Sequence, residues 1–278
     1  GDPRTEEYFV SLLDDPDPAL RMYASVGLMN VGGRIAIKLL LASLSDPEIN
    51  WLAVKILDQI SERDVDLLIE ALKDEKTRWY ARQKLIELDG AVLPALEDGL
   101  RSEDPLTRES ISMVLGAVRD SRAVKPLIEA LKDDEYFVMT SAASLIQIGD
   151  PTAVEPLIEL LTNQKEQVRL YAAFALGGLN DERAVDPLIA LLEDPSSTIR
   201  GVAAHSLGQL GSSRAIEPLM DLLEDQSAEV RLTAVHALGK TRERRALGRL
   251  EELIAYDSSP LVRKAAKESY DAIRRARR

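Results

Sequence analysis

Apolar residues recur at helical spacing along the chain. Val124, Leu127, Ile128 and Leu131 fall at positions i, i+3, i+4 and i+7, which form one face of an α-helix. The phrase recurs about every 31 residues towards the C-terminus, each time with a proline in its first turn, as at Pro126. Proline costs little there, because the first backbone N–H groups of a helix have no intrahelical partner. The pattern predicts a helix, which we call helix A.

A second helix, helix B, follows each helix A. Val168, Ala172, Ala175, Leu176 and Leu179 again trace one helical face, and its small alanines allow neighbouring helices to approach closely. Acidic turns, some with proline, separate helix A from helix B, and Gly and Asp separate helix B from the next helix A. No segment alternates convincingly with period two, so the sequence predicts no sheet.

The two helices form a unit that fills the chain nine times. A helix pair cannot bury both of its apolar faces alone, but in a stacked row each pair covers the next. We therefore predict an all-α fold, an α-solenoid of about nine helix pairs that runs through residues 1–278 as one continuous domain. One anchor position in helix B marks each repeat: Arg21, Asn50, Arg78, Arg108, Met139, Arg169, Arg200, Arg231 and Arg263.

The repeat resembles the HEAT-repeat family, in particular its short subtype known as PBS-lyase HEAT-like repeats. That family places an Asp in the A–B turn and an Arg six residues later in helix B. The pairing occurs here as Asp15/Arg21, Asp194/Arg200, Asp225/Arg231 and Asp257/Arg263. Departures from the family pattern are Asn50 and Met139 in place of the Arg, Asn163 in place of the Asp, and Leu39, Leu67 and Arg249 in place of the helix-A proline.

The resemblance implies function only broadly. Members of the family are mostly scaffolds and binding proteins, some are subunits of bilin lyases, and a distinct branch forms metal-dependent hydroxylases. The hydroxylases use His-Glu pairs, whereas here His205 is followed by Ser206 and His236 by Ala237. The sequence therefore argues against hydroxylase activity.

Composition narrows the chemistry further. The chain has no Cys and two His, so it lacks thiol nucleophiles and thiolate metal sites and has few groups for zinc or acid/base chemistry. It contains no P-loop, GxGxxG, GxSxG or HExxH motif. Most enzyme classes are therefore disfavoured, and we expect neither a cofactor nor a metal.

Charge bears on the partner and the location. The net charge is −12, from 35 Lys and Arg against 47 Asp and Glu, which is the wrong sign for neutralising phosphates, so a nucleic-acid partner is disfavoured. The N-terminus has no basic segment followed by an apolar one, and no run of about 18 apolar residues occurs. We expect a cytoplasmic protein that does not enter a membrane.

The repeated anchor Arg has two interpretations. A basic binding stripe is one. Its recurrence with a matched Asp favours the other, a ladder of charge-assisted hydrogen bonds between repeats.

The candidate binding surface lies on helix B, which the HEAT resemblance places on the concave side. The positions one, two and five after each anchor should point into that groove. Eight of the 12 aromatic residues lie on or beside it, and large amphipathic rings are typical anchors of protein-binding surfaces. Packing in irregular repeats is the alternative, above all for Trp51 and Phe137. The candidate residues are Tyr23, Trp51, Trp79, Tyr80, Tyr136, Phe137, Tyr171, Phe174, His205 and His236.

The two histidines occupy the same column in adjacent repeats. One repeat spacing of roughly 8–10 Å is too long for His205 and His236 to share one metal ion at about 2 Å each. We interpret them as surface residues of helix B.

These observations favour a non-enzymatic scaffold that binds a protein or peptide segment on the concave helix-B face. The acidic charge favours a basic ligand. The alternative is a bilin-lyase-like or other enzyme-accessory subunit, which rests on the repeat subtype alone. The sequence leaves the oligomeric state open.

Overall fold

A computed structural model describes residues 3–31, 34–44, 46–58, 60–133 and 137–275. Within those ranges it has eighteen α-helices in nine A–B pairs and no strand. The predicted all-α fold of about nine helix pairs is therefore confirmed. We number the pairs as repeats 1 to 9.

The pairs follow each other in chain order, helix A before helix B. They are α1 (Pro3–Leu12) and α2 (Pro18–Val31); α3 (Arg34–Ser43) and α4 (Asn50–Leu57); α5 (Val65–Ala71) and α6 (Glu75–Glu87); α7 (Leu93–Gly99) and α8 (Pro105–Val118); α9 (Val124–Asp133) and α10 (Val138–Ile148); α11 (Val154–Leu160) and α12 (Glu166–Leu179); α13 (Val185–Ala190) and α14 (Ser197–Leu210); α15 (Ile216–Asp221) and α16 (Ala228–Thr241); α17 (Leu247–Tyr256) and α18 (Pro260–Arg275).

The chain divides into two compact units, residues 1–126 and 127–278. In the first unit α2 packs on α4 and α6 on α8, and in the second α10, α12, α14, α16 and α18 pack in succession. Each unit is therefore a row of stacked helix pairs, the arrangement of an α-solenoid. One uninterrupted row over residues 1–278 stays a prediction.

The helix boundaries follow from local sequence. Pro156 lies in the first turn of α11, as the repeat pattern predicted. Asp150 and Asp181 cap the 3₁₀ turns that lead into α11 and α13, each accepting a hydrogen bond from the N–H two residues later. Gly149 and Gly211 end α10 and α14 with φ of 69° and 66°, a left-handed conformation that glycine adopts without steric cost.

One leucine of each helix A in the second unit is fully buried at the same position of the repeat. These residues are Leu157, Leu188, Leu219 and Leu250, each 31 residues after the last. On helix B, Leu207 of α14 is also fully buried. Burial of each such side chain stabilises the fold by about 1.5–3 kcal/mol, so the row is held together mainly by apolar contacts between layers.

The anchor arginines join consecutive repeats. Arg200 donates from Nη1 to the main-chain oxygen of Asp194 at 2.8 Å, and from Nε and Nη2 to both carboxylate oxygens of Asp225 in the next repeat, at 2.8 and 3.0 Å. All seven anchor arginines donate to the main-chain oxygen six residues earlier. The structure therefore confirms the predicted ladder. Arg21, Arg169 and Arg231 likewise contact carboxylates of the following repeat: Arg21 contacts Asp46 and Glu48, Arg169 contacts Asp194, and Arg231 contacts Asp257.

A second set of ion pairs, which the sequence analysis missed, lies at the B–A turns. Arg214 donates from Nη1 to Asp186 at 2.7 Å, 28 residues earlier, and Arg245 donates to Glu217 at 2.8 Å. Both side chains of each pair are about half exposed or more. Exposed pairs of this kind contribute little, typically less than about 1 kcal/mol.

Consecutive B helices of the second unit pack very closely. A Cβ atom on Gly208 would lie 2.7 Å from the Cβ and 2.9 Å from the Cα of Ala237 in the next repeat. Gly177 faces Ser206 in the same way, and the Ser206 hydroxyl donates to the main-chain oxygen of Ala173 at 2.9 Å. Successive A helices contact each other mainly through the 3₁₀ turns before them. The B helices therefore form the tighter layer.

We expect Arg200→Ala to destabilise the second unit by about 2–4 kcal/mol, because it leaves the nearly buried Asp225 carboxylate unpaired. Arg214→Ala is the matched control and should cost less than about 1 kcal/mol, since its pairs are exposed. Urea denaturation followed by circular dichroism measures both. Equal losses would show that the anchor has no special role.

Two glycines of α14 should respond to alanine with opposite signs. Gly208→Ala forces a shift against the backbone of Ala237 and should destabilise by about 1–3 kcal/mol. Gly201→Ala meets only the Thr233 hydroxyl, at 3.9 Å, and should stabilise by up to about 1 kcal/mol through helix propensity. Thermal denaturation of both variants tests the close packing of the B layer, and a stabilised Gly208→Ala would contradict it.

The ladder should also make stability depend on pH. Hydrogen bonds from Arg200 and Arg231 lower the pKa of Asp225 and of Asp257 below the usual value. Such carboxylates stabilise the fold fully above about pH 4, the pKa of an unfolded Asp, and lose that contribution as the pH falls through the folded pKa. Urea titrations from neutral pH to pH 3 should show a smaller decrease for Asp225→Asn/Asp257→Asn than for the unaltered protein. An equal decrease would place the acid sensitivity elsewhere.

Candidate functional site

Large apolar side chains are exposed mainly on the B helices. Of the twelve large hydrophobic residues that are exposed in the described part of the chain, ten lie on B helices, and the other two are Tyr8 on α1 and Tyr256 on α17. We call the exposed side of the B helices the helix-B face. Its ten large hydrophobic residues are Leu20, Met22, Tyr23, Trp51, Trp79, Leu106, Met113, Met139, Phe174 and Leu261.

In the first unit the helix-B face presents two tryptophans. Trp51 on α4 and Trp79 on α6 each follow their anchor by one residue and are 58% and 51% exposed. Met22 occupies the same position in repeat 1 and is also exposed. The packing alternative is therefore wrong for Trp51, whose ring is accessible to a partner.

In the second unit the helix-B face includes α12, α14 and α16. Phe174 is exposed and Tyr171, one turn before it, is half-buried. His205 and His236 are exposed at the position five after their anchors, the same column as Phe174. The Nε2 atom of His205 lies 2.7 Å from the side-chain amide nitrogen of Gln209 on the same helix. This part of the face combines aromatic surface with imidazole and amide groups.

Two of the candidate residues do not lie on this face, because Tyr80 and Phe137 are each only 5% exposed. The Tyr80 ring packs edge-on against the ring of Trp79 on the same helix, at 5.8 Å between centroids. Burial, with a smaller effect of the Asp58 and Glu87 carboxylates, raises the pKa of Tyr80. Phe137 lies at the N-cap of α10, and packing is the correct interpretation for it.

Tyr23 lies on the helix-B face but also packs within its own repeat. Tyr23 is 56% exposed, but its ring packs edge-on against Phe9 of α1 at 5.6 Å between centroids. It therefore forms part of the first helix pair's own packing. Tyr136 lies outside the described residues.

Sequence reasoning missed the methionines and leucines of the helix-B face. Met113 occupies the same column as Phe174, five residues after its anchor, and is 44% exposed. Met139 is itself an anchor and is 56% exposed. The column position could have identified Met113, whereas restricting the search to aromatic residues and histidine excluded it.

The side chains of the helix-B face are suited to apolar contact with a partner. Aromatic rings and flexible thioethers adapt to apolar side chains of a partner. Among the described residues, no group of three or more His, Asp or Glu side chains is placed to hold a metal ion. No described helix has the length and apolar character needed to cross a membrane.

Comparison with solved structures shows the same fold in other proteins. Kap121p superposes with a TM-score of 0.66 at 13% identity, over 98% of this chain and 38% of that one. A HEAT-like repeats protein from the archaeon Thermococcus onnurineus NA1 gives a TM-score of 0.51 at 17% identity, over 77% and 97%. The CpcE–CpcF complex of phycocyanin lyase from Nostoc sp. PCC7120 gives 0.50 at 24% identity, over 54% and 99%. At these identities the likeness concerns the fold alone.

Sequence comparison identifies the family. No curated protein matches the chain. The family described as HEAT repeats matches residues 65–147, 93–167, 154–231 and 199–271, which together span most of the chain. With the helix pairs, the anchor ladder and the solved relatives, this match shows that the chain belongs to the HEAT-repeat family.

Proposed function

We propose that this protein is a non-enzymatic scaffold that binds a protein or peptide segment on the helix-B face. The observation that carries the proposal is the distribution of exposed large hydrophobic residues, ten of twelve on B helices and two on A helices. Scattered exposed apolar residues are normal on any protein, but their concentration on one layer of helices is typical of a binding surface.

The side chains suit this role energetically. Covering a large apolar side chain contributes about 1.5–3 kcal/mol, and tryptophan and tyrosine are enriched among the residues that dominate binding energy. Trp79, Tyr171 and Phe174 are ring systems with few rotatable bonds, so fixing them on binding costs little entropy. The helices beneath them are held by buried leucines and by the anchor ladder, so the rings are preorganised.

The partner's charge follows from that of the chain. The net charge of −12 attracts basic segments over a distance and repels nucleic acid. We therefore propose a basic protein or peptide as the partner. In the family, the B helices line the concave side, so the partner would lie in that groove.

An accessory subunit of a bilin-lyase type is the second candidate. Its support is the resemblance to the PBS-lyase HEAT-like subtype and the solved phycocyanin lyase complex, which shares the fold. Mixing the protein with a linear tetrapyrrole tests it, because a bound bilin changes its absorbance spectrum. An unchanged spectrum, alone and with a candidate partner subunit, would remove this candidate.

We expect Trp79→Ala/Tyr171→Ala/Phe174→Ala to weaken partner binding at least tenfold, since each ring contributes about 1 kcal/mol or more at a binding site. The helical circular dichroism signal should stay nearly intact, because Trp79 and Phe174 are exposed and Tyr171 is half-buried. Affinity capture from cell extract with both proteins, followed by binding titration of each retained protein, measures the effect.

The matched control is Tyr8→Ala, which removes an exposed large hydrophobic residue of a helix A. It should leave affinity for that partner unchanged. Equal binding by the triple variant and the unaltered protein would refute the helix-B assignment. Loss in the control alone would place the partner on the A helices.

A further inference from the structure

A second surface lies at the turns between helix A and helix B in repeats 7 to 9, which we call the A–B edge. A cleft of about 730 Å³ opens between repeats 7 and 8. A neighbouring cleft of about 680 Å³ opens between repeats 8 and 9, and Glu224 and Asp225 line both. The first cleft has an apolar part formed by Ile189, Leu192, Pro218 and Leu222.

The rim of the first cleft is strongly acidic. Five carboxylates and one guanidinium line it. The guanidinium belongs to Arg200, which the ladder already pairs with Asp225. The connecting segments 191–198 and 222–228 contain no Lys or Arg. The cleft therefore combines apolar surface with excess negative charge.

The fold does not require all of these carboxylates. Asp194 and Asp225 belong to the anchor ladder, whereas Glu193 and Asp221 are exposed and make no ion pair with any described residue. The position of Glu193 is Thr162 in repeat 6, and the position of Asp221 is Ala190 in repeat 7. Repeat 6 forms its helix pair without an acid at the first position, and repeat 7 forms its pair without an acid at the second. Neither carboxylate is therefore required to form a helix pair.

The neighbouring cleft adds an aromatic ring. Tyr256 lines it and is 86% exposed, one of the two exposed large hydrophobic residues that the described part of the chain carries outside the B helices. Glu224 and Glu252 beside it pair with Arg249, whose side chain is half exposed. A guanidinium from a partner can stack on an accessible tyrosine ring and compete for such exposed carboxylates.

The same feature occurs independently in the first unit. A cleft of about 580 Å³ between repeats 1 and 2 is lined by Asp14, Asp15 and Asp46, with Arg21 as its cation and Leu13 and Leu39 among its apolar residues. Acidic clefts at the A–B turns are therefore a recurring product of this repeat, and repeats 7 to 9 present two side by side.

We propose that the A–B edge of repeats 7 to 9 binds an extended basic segment of a partner protein. One arginine or lysine enters the first cleft, where its aliphatic stem lies on Ile189 and Pro218 and its charged end meets Glu193 and Asp221. A second basic residue stacks on Tyr256. Adjacent repeats are roughly 8–10 Å apart and an extended chain advances about 3.3 Å per residue, so the two basic residues are spaced three positions apart.

This surface is distinct from the helix-B face, and the proposal does not depend on the proposed function. The two assignments concern different side chains, so one set of variants separates them. The A–B edge selects for charge and spacing, whereas the helix-B face selects for apolar surface.

The test uses a fluorescein-labelled peptide of about twelve residues with arginine at every third position, and a sibling with glutamate at those positions. Fluorescence anisotropy at low ionic strength, where exposed charges are least screened, measures binding to the full chain. We expect the arginine peptide to bind and the glutamate peptide not to bind. Glu193→Lys/Asp221→Lys should weaken binding at least tenfold, with Glu193→Gln/Asp221→Asn intermediate.

Glu62→Lys/Glu229→Lys is the matched control, because it reverses two exposed carboxylates outside the clefts and changes the net charge equally. It should alter the affinity for the arginine peptide less than about twofold, because only the general effect of net charge remains and salt screens it. If both double variants weakened binding equally, overall charge would explain the effect and the proposal would be overturned. Absence of binding by the arginine peptide would overturn it too. Loss with Trp79→Ala/Tyr171→Ala/Phe174→Ala but not with Glu193→Lys/Asp221→Lys would overturn it in favour of the helix-B face. Circular dichroism confirms that each variant is folded.

Discussion

Each helix pair in this chain has two apolar faces, and it can bury them only against the pairs before and after it. The A helices meet this constraint with buried leucines, and the B helices meet it with glycines that allow close contact with the next helix B. Burial alone is non-directional, so it does not specify how far one pair slides along the next. In repeats 1, 6, 7 and 8 the anchor arginine fixes the register, because its planar guanidinium contacts a main-chain oxygen of its own turn and a carboxylate of the next repeat at once.

Helix B of repeat 9 departs from the close packing of the preceding B helices. Repeats 6 to 8 carry Ala or Val four residues after the anchor and Gly eight residues after it, where the next helix B packs. Repeat 9 carries Lys267 and Asp271 at those positions, and their side chains pair at 3.3 Å. A charged pair cannot enter the close contact that glycine permits, so α18 lacks the glycine packing surface of α12, α14 and α16.

Stacking also leaves two surfaces exposed to solvent, where the side chains are not constrained by packing. Positions facing neighbouring pairs are restricted to small and apolar residues, whereas the exposed side of the B helices and the A–B turns face solvent. The rings and thioethers of the helix-B face and the surplus carboxylates Glu193 and Asp221 lie in those free positions. Two surfaces of different chemistry therefore coexist on one scaffold, and the buried layers between them are shared.

The sequence by itself determined the helices, the nine pairs and the anchor ladder, because each depends on residues at fixed spacing within one or two repeats. Column position also identified Trp51, Trp79 and Phe174 as exposed. Tertiary structure alone decided the burial of Tyr80 and Phe137, since a ring's exposure depends on whether the neighbouring repeat leaves room for it. The second set of ion pairs and the acidic clefts likewise arise where residues about 28 to 31 positions apart meet across a repeat boundary, and the packing of consecutive pairs sets that distance.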